Sequence, residues 1–127
     1  MRNFAHALVV IAALTPSSVL GYSEPQDIAD LHAAAGLGDA KAQVQIGWLY
    51  HEGRGVPQNE AEAAKWYLKA AEGGDVGAQM LIALMLALGE GVPRDDRMAN
   101  FWFQKAASQS DPSTRLQIET LRRSVGK

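Results

Sequence analysis

The stretch GRGVPQNEAEAAKWYLKAA, Gly53 to Ala71, returns 36 residues later as GEGVPRDDRMANFWFQKAA, Gly89 to Ala107. The offset pairs Gly53 with Gly89, Gly55 with Gly91, Val56 with Val92, Pro57 with Pro93, Ala63 with Ala99, Trp66 with Trp102, and Lys69-Ala70-Ala71 with Lys105-Ala106-Ala107. Chance does not keep so many rare residues in register. The same step carries Ala42-Gln43 onto Ala78-Gln79 and Ile46 onto Ile82. In reverse it lays Ala34-Ala35, Gly38 and Asp39 on Ala70-Ala71, Gly74 and Asp75. A period in this range signals a solenoid, in which each unit buries an apolar face on the next.

Each Gly-x-Gly-Val-Pro loop separates two segments whose apolar residues recur at helical spacing. Ala42, Ile46, Leu49 and Tyr50 form one stripe and Ala63, Trp66, Tyr67 and Ala70 the facing one. The spacing predicts an all-α chain of antiparallel helix hairpins: a half repeat over 24–38, repeats over 39–74 and 75–110, and a capping helix over 111–125. Ser23-Glu24-Pro25 opens the first helix, and Ile28, Leu31 and Ala35 give it an apolar stripe. Asp39 and Asp75 follow glycines as N-caps do, and Asn59, three residues before Glu62, reads as a capping-box variant. Asp111-Pro112 starts the last helix, with Leu116, Ile118, Leu121 and Val125 on one side and Glu119, Arg122 and Arg123 on the other. The Gly-x-Gly loops supply left-handed positions that end the preceding helices.

Ahead of the repeats, Arg2, an apolar run from Ala7 to Leu14, Pro16 and small residues up to Gly21 read in order as a secretory signal over 1–21. The run is far short of the roughly 20 apolar residues a membrane span needs, so no stable membrane insertion is expected after cleavage. The expected location is periplasmic or secreted. With no cysteine, the chain has neither a lipid attachment point of that kind nor a disulfide or thiolate–metal site. Without Arg2 the chain holds 11 basic and 14 acidic residues, a net charge of −3 with His neutral, which speaks against a nucleic-acid partner.

The pattern A-x-x-x-I-G-x-x-Y-x-x-G-x-G-V-P followed by A-x-x-W-Y-x-K-A-A-x-x-G resembles the Sel-one-like repeat, a relative of the tetratricopeptide repeat. Ala42, Ile46, Gly47, Tyr50, Gly53, Gly55, Val56, Ala63, Trp66, Lys69, Ala70, Ala71 and Gly74 carry the likeness. The second copy departs from it at Ala83 for the helix glycine, Leu86 for the tyrosine, Ser110 for the closing glycine and Thr114 for the next alanine. The resemblance implies a short right-handed solenoid that serves as a scaffold for other proteins.

No residue pattern supplies chemistry. His51-Glu52 lacks the second histidine a zinc-protease helix needs, because Gly55 stands there. Ser124 and Lys127 match S-x-x-K, but in the last four residues, where a nucleophile cannot be preorganised. The Gly-x-Gly loops follow helices and lack a Gly-Lys-Ser/Thr ending, so they are not phosphate loops. Asp95, Asp96, Glu60 and Glu62 read as helix-start acids, and Trp66, Tyr67, Trp102 and Phe103 as core aromatics. No enzyme activity, cofactor or metal is expected.

One surface remains. Opposite Ile46 on the first helix lie Lys41, Val44, Trp48 and His51, and 36 residues on Gly77, Met80, Leu84 and Ala87. In tetratricopeptide-type arrays this side lines the concave groove, so Lys41, Val44, Trp48, His51, Met80, Leu84 and Ala87 are the candidate partner-binding residues. The run Met80 to Leu88 is apolar nearly all round, which means burial on several sides or a waiting partner. The expected function is an exported, non-catalytic module that binds a protein or peptide. The competing readings are a small cell-wall hydrolase or penicillin-interacting protein, and a fragment that completes its solenoid as a homo-oligomer.

Overall fold

The structure is a computed structural model that describes residues 25–126. The signal read over 1–21 lies outside them. Among the described residues the chain is all-helical: α1 Pro25–Gly36, α2 Ala40–Glu52, α3 Glu60–Glu72, α4 Val76–Leu88, α5 Asp96–Ser108 and α6 Pro112–Val125. The repeat is visible in the starts at 40, 76 and 112 and at 60 and 96. Each helix packs on the next in sequence, and α4 also touches α6.

The starts are set by side chains. Asp39 accepts the Lys41 and Ala42 amides at 3.0 and 3.2 Å, Asp75 that of Ala78 at 2.8 Å, and Asp95 those of Arg97 and Met98 at 3.1 and 3.0 Å. Asp111 caps α6 with Pro112 in its first turn, and the Thr114 amide, followed by the Thr114 hydroxyl, holds its carboxyl below the usual range. The capping box at Asn59 is only half made. Asn59 accepts the Glu62 amide at 3.1 Å, but Glu62 does not return the bond; its carboxylate pairs with Lys65 at 2.9 Å. The Asn59 amide goes to the Tyr50 carbonyl at 2.9 Å, one of the unpaired carbonyls at the end of α2, and Asp95 treats Leu86 the same way at 2.9 Å. These two bonds fold each loop back on its own first helix. Gly53 and Gly89, both with φ near +70°, end α2 and α4 in the left-handed region that side chains resist.

Two cores result. Leu31, Ala35, Ala42, Ile46 and Leu49 join α1 to α2, while a larger cluster runs through α3, α4 and α5 to Ile118 of α6; Tyr50 packs on both. Tyr67, Trp102 and Phe103 are buried and Trp66 is half-buried. Alanines at 42, 63, 70 and 71 and their repeats at 78, 99, 106 and 107 are buried, which lets the helices approach closely. Gly47 carries this furthest: a Cβ there would lie 2.6 Å from the Tyr67 ring. The apolar α4 is explained mostly by burial, since α3, α5 and α6 all pack on it; Leu88, 53 % exposed, is the exception.

Neighbouring units are also tied by a ladder that the sequence reading did not anticipate. Gln43 donates to the Ala35 carbonyl at 3.0 Å and Gln79 to that of Ala71 at 3.2 Å. At the third rung Arg115 replaces Gln and donates to the Ala107 carbonyl at 3.1 Å and to that of Ser110 at 3.2 Å. Each rung fastens the first turn of one helix to the last turn of the helix before it. Both glutamines are buried, so each bond satisfies an amide nitrogen that would otherwise be costly, while the Gln79 Oε1 is buried without a hydrogen-bond partner.

Candidate partner-binding face

α2 and α4 are the first helices of the two hairpins, and their outward side carries the candidate residues. Trp48 is 40 % exposed, with the Arg54 guanidinium 5.2 Å from the centre of its ring. That stacking fixes a large, flat apolar surface next to a cation. Val44, Met80 and Leu84 are half-buried and pack against the larger core. Lys41 is exposed in the first turn of α2, and His51 is exposed in its last turn.

Ala87 does not belong with them. It is 6 % exposed and part of the core. The projection from Ile46 assumed a single packing direction, whereas α4 is covered by three helices and position 87 turns inward. Leu88, one residue on, takes the exposed place. Leu81, half-buried, went unread, and Leu116, placed by the sequence on the apolar side of α6 with Ile118, is 68 % exposed. The signals for them were the 81, 84, 88 spacing and the 36-residue step from Met80 to Leu116.

His51 faces a different way. Its Nδ1 lies 2.9 and 3.0 Å from the two carboxylate oxygens of Glu60, and its Nε2 lies 3.6 Å from Glu52. The hydrogen bond to Glu60 is the main reason its proton is held above the ordinary value; partial burial opposes this, and the charges of Glu60, Glu52 and Glu90 add to it. Among the described residues no group of three or more His, Asp or Glu is arranged to hold a metal ion. The Ser124 hydroxyl donates a hydrogen bond to the Leu121 carbonyl at 2.7 Å, and Lys127 lies outside the described residues.

Hairpins of this length, stacked at this period and closed by Gly-x-Gly-Val-Pro loops, define a helical-repeat scaffold. The Sel1 repeat profile matches residues 40–75 and 76–111, and the chain belongs to that family. Sel1 repeats generally mediate protein interactions and are generally not catalytic. The chain is similar to a Sel1 repeat protein from Oxalobacter formigenes, with 38 % identity and a TM-score of 0.68 over 76 % of this chain and 28 % of that one. It is also similar to a protective antigen of uropathogenic Escherichia coli with this repeat fold, at 33 % identity and a TM-score of 0.67 over 87 % and 24 %. The chain thus spans about a quarter of the length of each. Cysteine rich protein B of Helicobacter pylori, at 19 % identity, shares the fold with a TM-score of 0.69 over 88 % and 86 % of the two chains. No curated protein sequence matches the chain.

Proposed function

We propose that this chain is an exported adaptor that takes a segment of another protein on the outward side of α2 and α4, with Trp48 as its anchor. The observation that carries the reading is Trp48 itself. A tryptophan 40 % exposed and stacked by Arg54 is a surface held ready rather than a core residue, and such residues dominate binding when a partner covers them. Half-buried Val44, Met80 and Leu84 on the same side of α2 and α4 offer further apolar surface, and the ordered signal features in 1–21 support export.

Trp48→Ala tests the anchor. Capture of envelope partners by the mature protein should weaken at least about tenfold, equivalent to roughly 1.4 kcal/mol, while the melting temperature falls by only a few degrees. A fully buried aromatic would cost about 3 to 5 kcal/mol of stability, and a loss of that size would remove Trp48 from the binding surface. Intact-mass measurement tests export: a chain that retains Met1 in a cytoplasmic fraction refutes it.

A further inference from the structure

The two complete hairpins, α2–α3 and α4–α5, stand between two single helices of opposite kind. By the 36-residue step α1 falls in the register of the second helices α3 and α5, and α6 in that of the first helices α2 and α4. The pairing inside a hairpin is the most extensive packing in the fold. Among the described residues α1 has no first helix to pair with, and α6 has no second. The two also differ in charge. α1 holds Asp27 and Asp30 without a base, a net −2 with His neutral; α4 holds no charged residue; α6 sets Arg115, Arg122 and Arg123 against Glu119, a net +2.

The register makes this complementarity specific. In the first hairpin Gly47 lies against the Tyr67 ring. The helices run antiparallel, so one turn further along each Tyr50 comes level with Ala63. Stepping by 36, the α6 counterparts of Gly47 and Tyr50 are Glu119 and Arg122, and the α1 counterparts of Tyr67 and Ala63 are Leu31 and Asp27. An α6 laid on an α1 in hairpin register therefore sets Arg122 against Asp27, where the inner hairpins pair Tyr50 with Ala63 and Leu86 with Ala99. Glu119 then stands over Leu31, whose side chain is shorter than the Tyr67 and Phe103 rings and leaves it room. Arg122 and Asp27 are both half-buried. Arg122 already reaches Glu119 at 2.7 Å and Asn100 at 3.3 Å, and its five donors leave some for a second carboxylate.

Within one chain α1 and α6 are separated by both hairpins, so this pairing needs a second copy. We propose that the mature chain stacks head to tail, α6 of one copy serving as the first helix for α1 of the next. One contact then completes the unpaired helix of each copy and neutralises the charge of both. It takes the chain without 1–21 and so rests on the export reading, but it does not involve Trp48. The contact joins unlike surfaces, so a third copy can add to a second. Because the two helices meet through charge, salt weakens the stack.

Sedimentation of the mature protein tests the stack. The average mass should rise with protein concentration past that of a dimer and fall again at high salt. Asp27→Lys and Arg122→Glu should each weaken the association at least about tenfold, with helicity by circular dichroism showing that both variants are folded. An equimolar mixture of the two should associate again, since each reversed charge meets its opposite on the other variant. Intact mass of the same sample separates the two readings: a chain that keeps 1–21 refutes export and the stack with it. A mature chain that stays monomeric at every concentration, single variants that associate like the wild type, or a mixture that stays apart would overturn the stack and leave export standing.

Discussion

Gly91 carries two burdens that can be weighed separately. Its φ of +72° disfavours any side chain, and the Glu60 backbone occupies the space a side chain would enter. Gly89 shares only the first: its φ is +70°, and a Cβ there would meet Arg94 Cβ at 3.4 Å. The backbone penalty for alanine at positive φ is about 1 to 2 kcal/mol, which is the expected cost of Gly89→Ala. At Gly91 the new Cβ would lie 2.7 Å from the Glu60 carbonyl carbon and 3.0 Å from its Cβ, against an optimal carbon separation of about 3.5 to 4.0 Å. The obstacle is helix backbone, so the loop must retreat from α3. Overpacking of this kind adds about 1 to 3 kcal/mol. Gly91→Ala should thus cost about 2 to 5 kcal/mol. At about 4 to 8 °C per kcal/mol for a domain of this size, it should melt roughly 5 to 20 °C below Gly89→Ala. Thermal and urea unfolding of the two variants decide it. Equal stabilities within about 0.5 kcal/mol, the usual scatter of a surface change, would refute the close approach of the second loop to α3.

Other outcomes follow from the same contacts. Gly55→Val should cost about 1 to 3 kcal/mol, since a β-branched residue is strained at φ +74°; an unchanged melt contradicts this. Gln79→Ala removes a buried side chain and its bond to the Ala71 carbonyl, which keeps the Gly74 amide at 3.0 Å; the lost packing and bond should cost about 1 to 3 kcal/mol in urea unfolding, and a cost below about 0.5 kcal/mol would show that the rung does not hold. Burial, and then the charges of Glu60 and Glu52, push the Tyr67 phenol up from 10.0 to about 12. The unfolded chain ionises first as pH rises past the ordinary value, so the wild type should lose stability between pH 10 and about 12 that Tyr67→Phe does not lose; parallel pH profiles would refute that.

What was legible in the sequence was local or periodic. Asp39, Asp75 and Asp111 declare helix starts through bonds that span two or three residues, and Gly53 and Gly89 declare helix ends through their own backbone. The 36-residue step then places every hairpin. What failed to show depends on how one hairpin meets the next. Ala87 turns inward because α3, α5 and α6 surround α4, which no single-helix projection contains. Glu62 leaves its capping box because the Asn59 amide is claimed by Tyr50 across the loop. Gln43 and Gln79 looked like mere repeat markers, since the carbonyls they reach lie on the preceding helix. On the candidate face, Trp48 stood out as a large residue in an outward position, whereas Leu88 was hidden within an apolar run.

The glutamine ladder and the Gly91 contact together have a mechanical meaning. α3 is held to the second hairpin near both of its ends: at Ala71 by Gln79, and at Glu60 by Gly91. A body fixed at one point can rock, but one fixed at two points about 16 Å apart, the rise of eleven helical residues, has lost that freedom. The lean of one hairpin on the next is thereby set, and with it the curvature that a stack of such units accumulates. Removing the Gln79 tether frees the Ala71 end of the seam to open, whereas a side chain at Gly91 pries the Glu60 end apart, so the two substitutions should tilt the second hairpin in opposite directions.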